Sequence, residues 1–249
     1  MAAQRIQDTT VIRPSPRPAA TRSLVCLGFC GGGTGAYRPW AAHLDDRTEL
    51  TLICYPGREG RFAEAPARSW EELADDATAA VLSAAGRPYV LFGHSMGGWM
   101  AFEVATRIER SGGPVPEALV VSSCNAPDRG LTERDRFPSF GDTDEALLSW
   151  MRTIGLLPDH VRSDPDLMDM AYELMRADIR VRDSYTAPGA RTRIPVRVLY
   201  GRDDEVIEPG VAGQWAGVCD GPCRVDALPG GHFYTPDVWR ALPAHIDVL

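Results

Sequence analysis

Gly93-His94-Ser95-Met96-Gly97 forms a G-x-S-x-G pattern between the apolar run "PYVLFG" (88–93) and an amphipathic stretch at 96–111. That context predicts a tight strand-to-helix turn that lifts a serine hydroxyl clear of the backbone. A hydroxyl is a weak nucleophile until a base takes its proton, and the chain has five histidines to supply one. His43 and His245 fall within helical patterns, His160 lies between two more, and His94 adjoins the serine with its ring expected to point away. His232 remains, in the glycine-flanked loop "LPGGHFYTP" (228–236) after the last strand-like run, at the same sheet edge as Ser95. Such a base needs a carboxylate to fix its tautomer and steady its charged form. "VRVLYGRDDEV" (196–206) delivers Asp203 and Asp204 to that edge, and the G-x-x-D spacing from Gly201 favours Asp204. Together these residues would carry out acyl transfer through a serine ester.

Acyl transfer also needs backbone N–H groups aimed at the developing oxyanion. Met96, at the start of its helix, supplies one, and the glycine-rich run "GFCGGGTGAY" (28–37) supplies the other, with Cys30 as the expected donor and Phe29 the alternative. That run holds no G-x-G-x-x-G register, so it is not read as a dinucleotide loop. The Cys30 thiol is read as incidental, because no second His/Asp pair is left to activate it. Cys219 and Cys223 stand at C-x3-C spacing without a second Cys/His pair nearby, so no metal site is expected. All 26 basic residues are Arg. Without a lysine there is no Schiff base to pyridoxal phosphate and no phosphate-loop or kinase lysine, and no cofactor is expected.

The elements that must position these groups are short apolar runs at 23–28, 50–55, 88–93, 117–123, 195–200 and 223–228, alternating with helical patterns at about 36–44, 70–85, 96–111, 209–217 and 236–248. Alternation of this kind implies an α/β fold, a mostly parallel doubly wound sheet whose ligands bind beyond the carboxyl ends of the strands. The chain order Ser…Asp…His is that of the α/β-hydrolases. About residues 126–190 the rhythm is broken by two helical patterns. One carries Leu147, Leu148, Met151 and Ile154, and the other starts at Asp164-Pro165 and carries Leu167, Met168, Ala171, Leu174, Met175 and Ile179. This insertion is expected to be a helical lid. Residues 1–22, rich in Pro, Arg and Thr, are expected to form a mobile N-terminal extension, leaving 23–249 as a single catalytic domain. The net charge of −8 argues against nucleic acid, and no stretch is long and apolar enough to span a membrane. A start without an apolar signal core, together with dispersed cysteines, is read as cytoplasmic.

The chain also resembles the type II thioesterases that accompany polyketide synthases and non-ribosomal peptide synthetases. The resemblance rests on "VCLGFCGGGTGAYRPWAAHL" (25–44), "CYPGREGRF" (54–62), "LFGHSMGGWMAFEVA" (91–105), "LMRADIRVRDSY" (174–185), "YGRDDEV" (200–206) and "LPGGHFY" (228–234). Members usually read F-P-H-A-G-G-S where this chain has Leu27 to Gly33, a change that bears on loop shape more than on backbone N–H chemistry. The resemblance implies an α/β-hydrolase fold and hydrolysis of acyl thioesters from the phosphopantetheine arm of an acyl or peptidyl carrier protein. A free-standing esterase or acyltransferase with the same three groups is the alternative.

Overall fold

Runs of Val, Leu, Ile and Phe that are apolar at nearly every position can only be satisfied inside a sheet covered on both faces. The computed structural model, which describes residues 9–136, 138–153, 157, 159–187 and 189–248, has such a sheet. Its strands are β1 (Val11–Ile12), β2 (Arg22–Leu27), β3 (Thr48–Ile53), β4 (Tyr89–His94), β5 (Ala118–Ser122), β6 (Val196–Gly201) and β7 (Cys223–Leu228). They lie in the order β1-β3-β2-β4-β5-β6-β7, with β1 antiparallel to β3 and every other pair parallel. After β2 the chain moves outward to β3 and then returns to place β4 on the other side of β2. The carboxyl ends of β2 and β4 therefore flank the point where the order reverses, the crevice in which open α/β sheets bind ligands.

Alternate residues of each strand feed two separate cores. Val25, Leu27, Leu91, Leu119 and Val121 pack with α1 (Trp70–Ala84) and α2 (Met96–Ser111) on one face. Leu24, Cys26, Leu52, Val90 and Phe92 pack with Tyr37, Trp40 and Leu242 on the other. The insertion between β5 and β6 carries α3 (Asp144–Thr153), α4 (Asp159–Arg162) and α5 (Pro165–Asp183), followed later in the chain by α6 (Val211–Val218) and α7 (Pro236–Arg240). The start of α5 is set by Asp164, whose carboxylate accepts from the Asp166 and Leu167 N–H groups, with Pro165 in the first turn. Of the apolar stripe expected on α3, Ile154 lies outside the described residues.

Two expectations need correction. Continuous helices at 36–44 and 236–248 are replaced by 3-10 turns at Thr34–Ala36 and Arg38–His43, and by α7 followed by a 3-10 turn at Leu242–His245. Pro39 and Pro243 sit at the start of those turns, lack an N–H and disfavour helical backbone just before them. The mobile extension through residue 22 does not hold for its described part. Val11 and Ile12 pair with Ile53 and Leu52, and β2 already begins at Arg22. The Arg17 guanidinium donates to the carbonyls of Ala41 at 2.8 Å, Leu44 at 3.0 Å and Thr48 at 2.9 Å, and also to that of Asp45. Residues 1–8 of that expected extension lie outside the described residues.

Because Arg17 is a charged donor to four main-chain carbonyls, Arg17→Ala should cost about 1–3 kcal/mol and lower Tm by roughly 3–10 °C. A thermal melt within 1 °C of the unaltered protein would show that this segment is not a structural part of the fold.

Candidate active site

The turn after β4 is held by crowding. A side chain on Gly93 would put Cβ 1.8 Å from the Gly97 carbonyl oxygen, and one on Gly97 would put it 2.5 Å from that of Gly28. Between them Ser95 adopts φ 55° and ψ −127°, a backbone that L-residues rarely accept. Its N–H donates to Ser122 O at 2.7 Å and its carbonyl accepts from Gly98 N–H at 2.8 Å, so the strained residue is fixed from both sides.

The loops after β6 and β7 meet the same edge. Asp203 N–H donates to Gly230 O at 2.9 Å and Arg202 N–H to Leu228 O at 2.8 Å, which locks the two loops together. Asp204 is buried while Asp203 is exposed. With its proton on Nδ1, His232 donates to Asp204 Oδ2 at 2.9 Å, and Ser95 Oγ donates to His232 Nε2 at 3.0 Å. Val206 N–H donates to the other Asp204 oxygen at 3.0 Å. Ser95, His232 and Asp204 are thus brought into one hydrogen-bonded line, and Asp203 is left outside it.

Cys30 and Met96 line the small cavity at Ser95, about 40 Å³, which is room for only a few water-sized atoms. Burial, reinforced by Asp178, pushes the Cys30 thiol up to about 12, so it stays protonated at neutral pH. Phe29 is buried among aromatic rings, 4.9 Å from the Phe233 centroid.

Sequence reasoning missed several cavity residues. Trp150 from α3, Arg182 from α5 and Asp135 from the loop before α3 share the cavity with Ser95. Burial raises the Asp135 carboxyl above its ordinary range. Arg182 stands within the run "LMRADIRVRDSY" (174–185), but nothing in the sequence gives it a place beside the serine. The His94 ring points away from the serine, as expected, into a buried stack behind His232. Its Nδ1 lies 2.9 Å from Ser122 Oγ, which lies 2.6 Å from Tyr234 OH. The His94 and His232 ring centroids are 5.1 Å apart. Burial, and then the charge of His232, hold the His94 pKa well below its ordinary value. Among the described residues no group of three or more His, Cys, Asp or Glu is placed to hold a metal ion, and all six cysteines are free. No described helix is long and apolar enough to cross a membrane.

Residues 22–246 match the family model described as "Thioesterase domain". The chain belongs to the thioesterase family. It is 32% identical over 234 residues to thioesterase PikA5 of Streptomyces venezuelae, an alignment covering 91% of this chain and 80% of that one. It is 31% identical to a probable cadicidin biosynthesis thioesterase of Streptomyces griseus, covering 95% of this chain but 63% of that longer one. Among solved structures, the type II thioesterase BorB from the borrelidin biosynthetic cluster superimposes with a TM-score of 0.82 at 35% identity, covering 97% of both chains. These likenesses bear out the resemblance to type II thioesterases of polyketide and nonribosomal peptide pathways and the α/β-hydrolase fold.

A thioesterase with a buried histidine held neutral should lose stability in acid. The unfolded chain takes up a proton at His94 below about pH 6.5 and the folded one does not. Stability is therefore full above that value and falls as pH drops toward the depressed folded pKa, by at most about 1.4 kcal/mol per unit. His94→Gln should flatten this slope in urea unfolding between pH 7 and pH 5. An unchanged slope would mean that other groups carry the acid sensitivity.

Proposed function

We propose that this thioesterase hydrolyses acyl thioesters from the phosphopantetheine arm of acyl or peptidyl carrier proteins, clearing stalled or mis-primed units, with Ser95, His232 and Asp204 as its catalytic residues. The observation that carries this reading is the Ser95–His232–Asp204 hydrogen-bonded line opening on a cavity, in a chain of this family.

Ser95 Oγ attacks the thioester carbon as His232 Nε2 takes its proton. Asp204 fixes the histidine tautomer and steadies the imidazolium, and its second oxygen is occupied by Val206 N–H, which keeps the carboxylate from turning. The new oxyanion accepts from the N–H of Met96, which at the first position of α2 has no intrahelical partner, and from that of Cys30, with Phe29 the alternative. The C–S bond then breaks, and His232 returns the proton to the departing thiolate. Water enters, gives a proton to the same histidine and attacks the ester. Collapse frees the acid and restores Ser95. These steps are complete with the protein's own groups and water.

The insertion at about 126–190 acts in this reading as a lid. Trp150 and Arg182 narrow the approach to Ser95, which suits a thin pantetheine arm better than a bulky ester. Six free thiols suit a reducing compartment, and on that basis the enzyme is read as cytoplasmic.

Ser95→Ala, His232→Ala and Asp204→Asn should each lower kcat on an acyl carrier protein thioester by about 10³–10⁶, and the Ser95/His232 double variant should cost little more, because the three act as a unit. Asp203→Asn should change kcat by less than about threefold. Greater damage from Asp203→Asn than from Asp204→Asn would reverse the assignment. Faster turnover of an oxygen ester than of the carrier thioester of the same acyl chain would favour the free-standing esterase.

A further inference from the structure

One buried ion pair joins the helical insertion to the glycine-rich loop. Arg58, in the loop after β3, is 5% exposed, and Asp178, near the end of α5, is 2% exposed. Arg58 Nη2 donates to Asp178 Oδ1 at 2.6 Å and Nη1 to Asp178 Oδ2 at 2.9 Å. Both residues also grip the loop itself. Nη1 donates to the Gly32 carbonyl at 2.6 Å, and Gly31 N–H donates to Asp178 Oδ2 at 2.8 Å. Met175, one turn before Asp178, lies against Cys30 with its sulfur 3.6 Å from Sγ. It also occupies the space any side chain at Gly31 would need, with Cε 2.2 Å from a Cβ built there.

The consequence for the backbone follows from planar trans peptides, in which N–H and C=O of one plane point in opposite directions. The Phe29 carbonyl accepts from Gly32 N–H at 2.9 Å, which turns Cys30 N–H the other way. Gly31 N–H is taken by Asp178 and Gly32 C=O by Arg58, so four successive planes from Phe29 to Gly33 are each pinned at one atom. Apolar residues could fill the same volume at lower desolvation cost, since a buried ion pair is a poor stabiliser. They could not hold the N–H of one glycine and the C=O of the next.

We infer that Arg58 and Asp178 are positioning residues that aim the Cys30 N–H at the developing oxyanion and tie its aim to the seating of α5. The inference rests on the proposed role of Cys30. Movement of α5 away from the sheet carries Asp178 off Gly31 and relaxes the oxyanion site, so the site is complete only while the insertion is closed.

The test uses an alkyl boronic acid, which adds Ser95 Oγ to boron and presents a tetrahedral anionic oxygen to the site. Its Ki is measured with kcat and KM for the unaltered protein and for Asp178→Asn, Arg58→Lys and Asp76→Asn. The last is a control that weakens the Arg61–Asp76 pair of the same loop without touching residues 28–33. In Asp178→Asn and Arg58→Lys, kcat should fall and Ki rise in parallel by about ten- to a hundred-fold, short of the 10²–10³ for outright loss of a donor, with KM within about threefold. Asp76→Asn should leave Ki within about twofold even where it lowers Tm. If Asp178→Asn does not fold, Arg58→Lys, which keeps the cation, decides alone. Boronate affinity within twofold of the unaltered enzyme, or weakened no more than in Asp76→Asn at equal loss of Tm, would overturn the inference. Amide NMR of ¹⁵N-cysteine-labelled enzyme, with Cys30 assigned from Cys30→Ser, separates this from failure of the underlying reading. A Cys30 amide unmoved by boronate in the unaltered enzyme would remove Cys30 from the oxyanion site altogether.

Discussion

The contact on which the site depends is the approach of the Ser95 turn to the end of β2, closer than any side chain would permit. Gly97 packs on the carbonyls of Leu27 and Gly28, and Gly93 on the carbonyl of Gly97 itself. Because β2 and β4 are hydrogen-bonded neighbours, with Leu27 opposite Gly93, that contact brings the serine turn and the glycine-rich loop together at the reversal point of the sheet. A residue at φ 55° costs on the order of 1–3 kcal/mol, and the surrounding sheet supplies it. β5 contributes directly, since Ser122 O receives the Ser95 N–H. The hydroxyl's direction is therefore a property of three adjacent parallel strands.

Much of this arrangement is legible in the amino-acid sequence, and the reason is local. Each of Ser95, Asp204 and His232 stands a few residues beyond an apolar run, and parallel strands deliver their carboxyl ends to one edge whatever the intervening helices do. The choice between Asp203 and Asp204 also follows from local spacing, because Asp204 N–H closes a turn back to Gly201 O at 3.0 Å and its own carboxylate is the one turned inward. What could not be read were contacts between distant segments that leave no period. β1 is two residues long, and the hold of Arg17 on four carbonyls is invisible to any pattern of apolar residues. Pro39 and Pro243 lie within apolar spacing that by itself predicts helices, and their missing N–H groups shorten those helices to turns.

The insertion illustrates the same division. Apolar spacing predicts its two longer helices, and α5 begins at the expected Asp164-Pro165, whereas the short α4, which takes in His160, has no counterpart in the expectation. The places of Arg182 at the serine cavity and of Asp178 on the glycine-rich loop are not legible in the same way, because both are charged residues on an otherwise amphipathic helix and would ordinarily face water. Here both are buried, one against the Pro138 carbonyl and the other against Arg58. Charged residues that interrupt the apolar face of a helix carry the tertiary information.

Every guanidinium that braces these loops stands in a chain without a single lysine, and that has a chemical consequence beyond geometry. Thioesters acylate free amines, and a protein that meets activated acyl groups at each turnover would modify its own lysines whenever one lay near the entrance. Arginine remains protonated to above about pH 12 and offers no nucleophilic lone pair at neutral pH. A surface whose side-chain cations are all arginine gives a misdirected acyl group no amine side chain to react with.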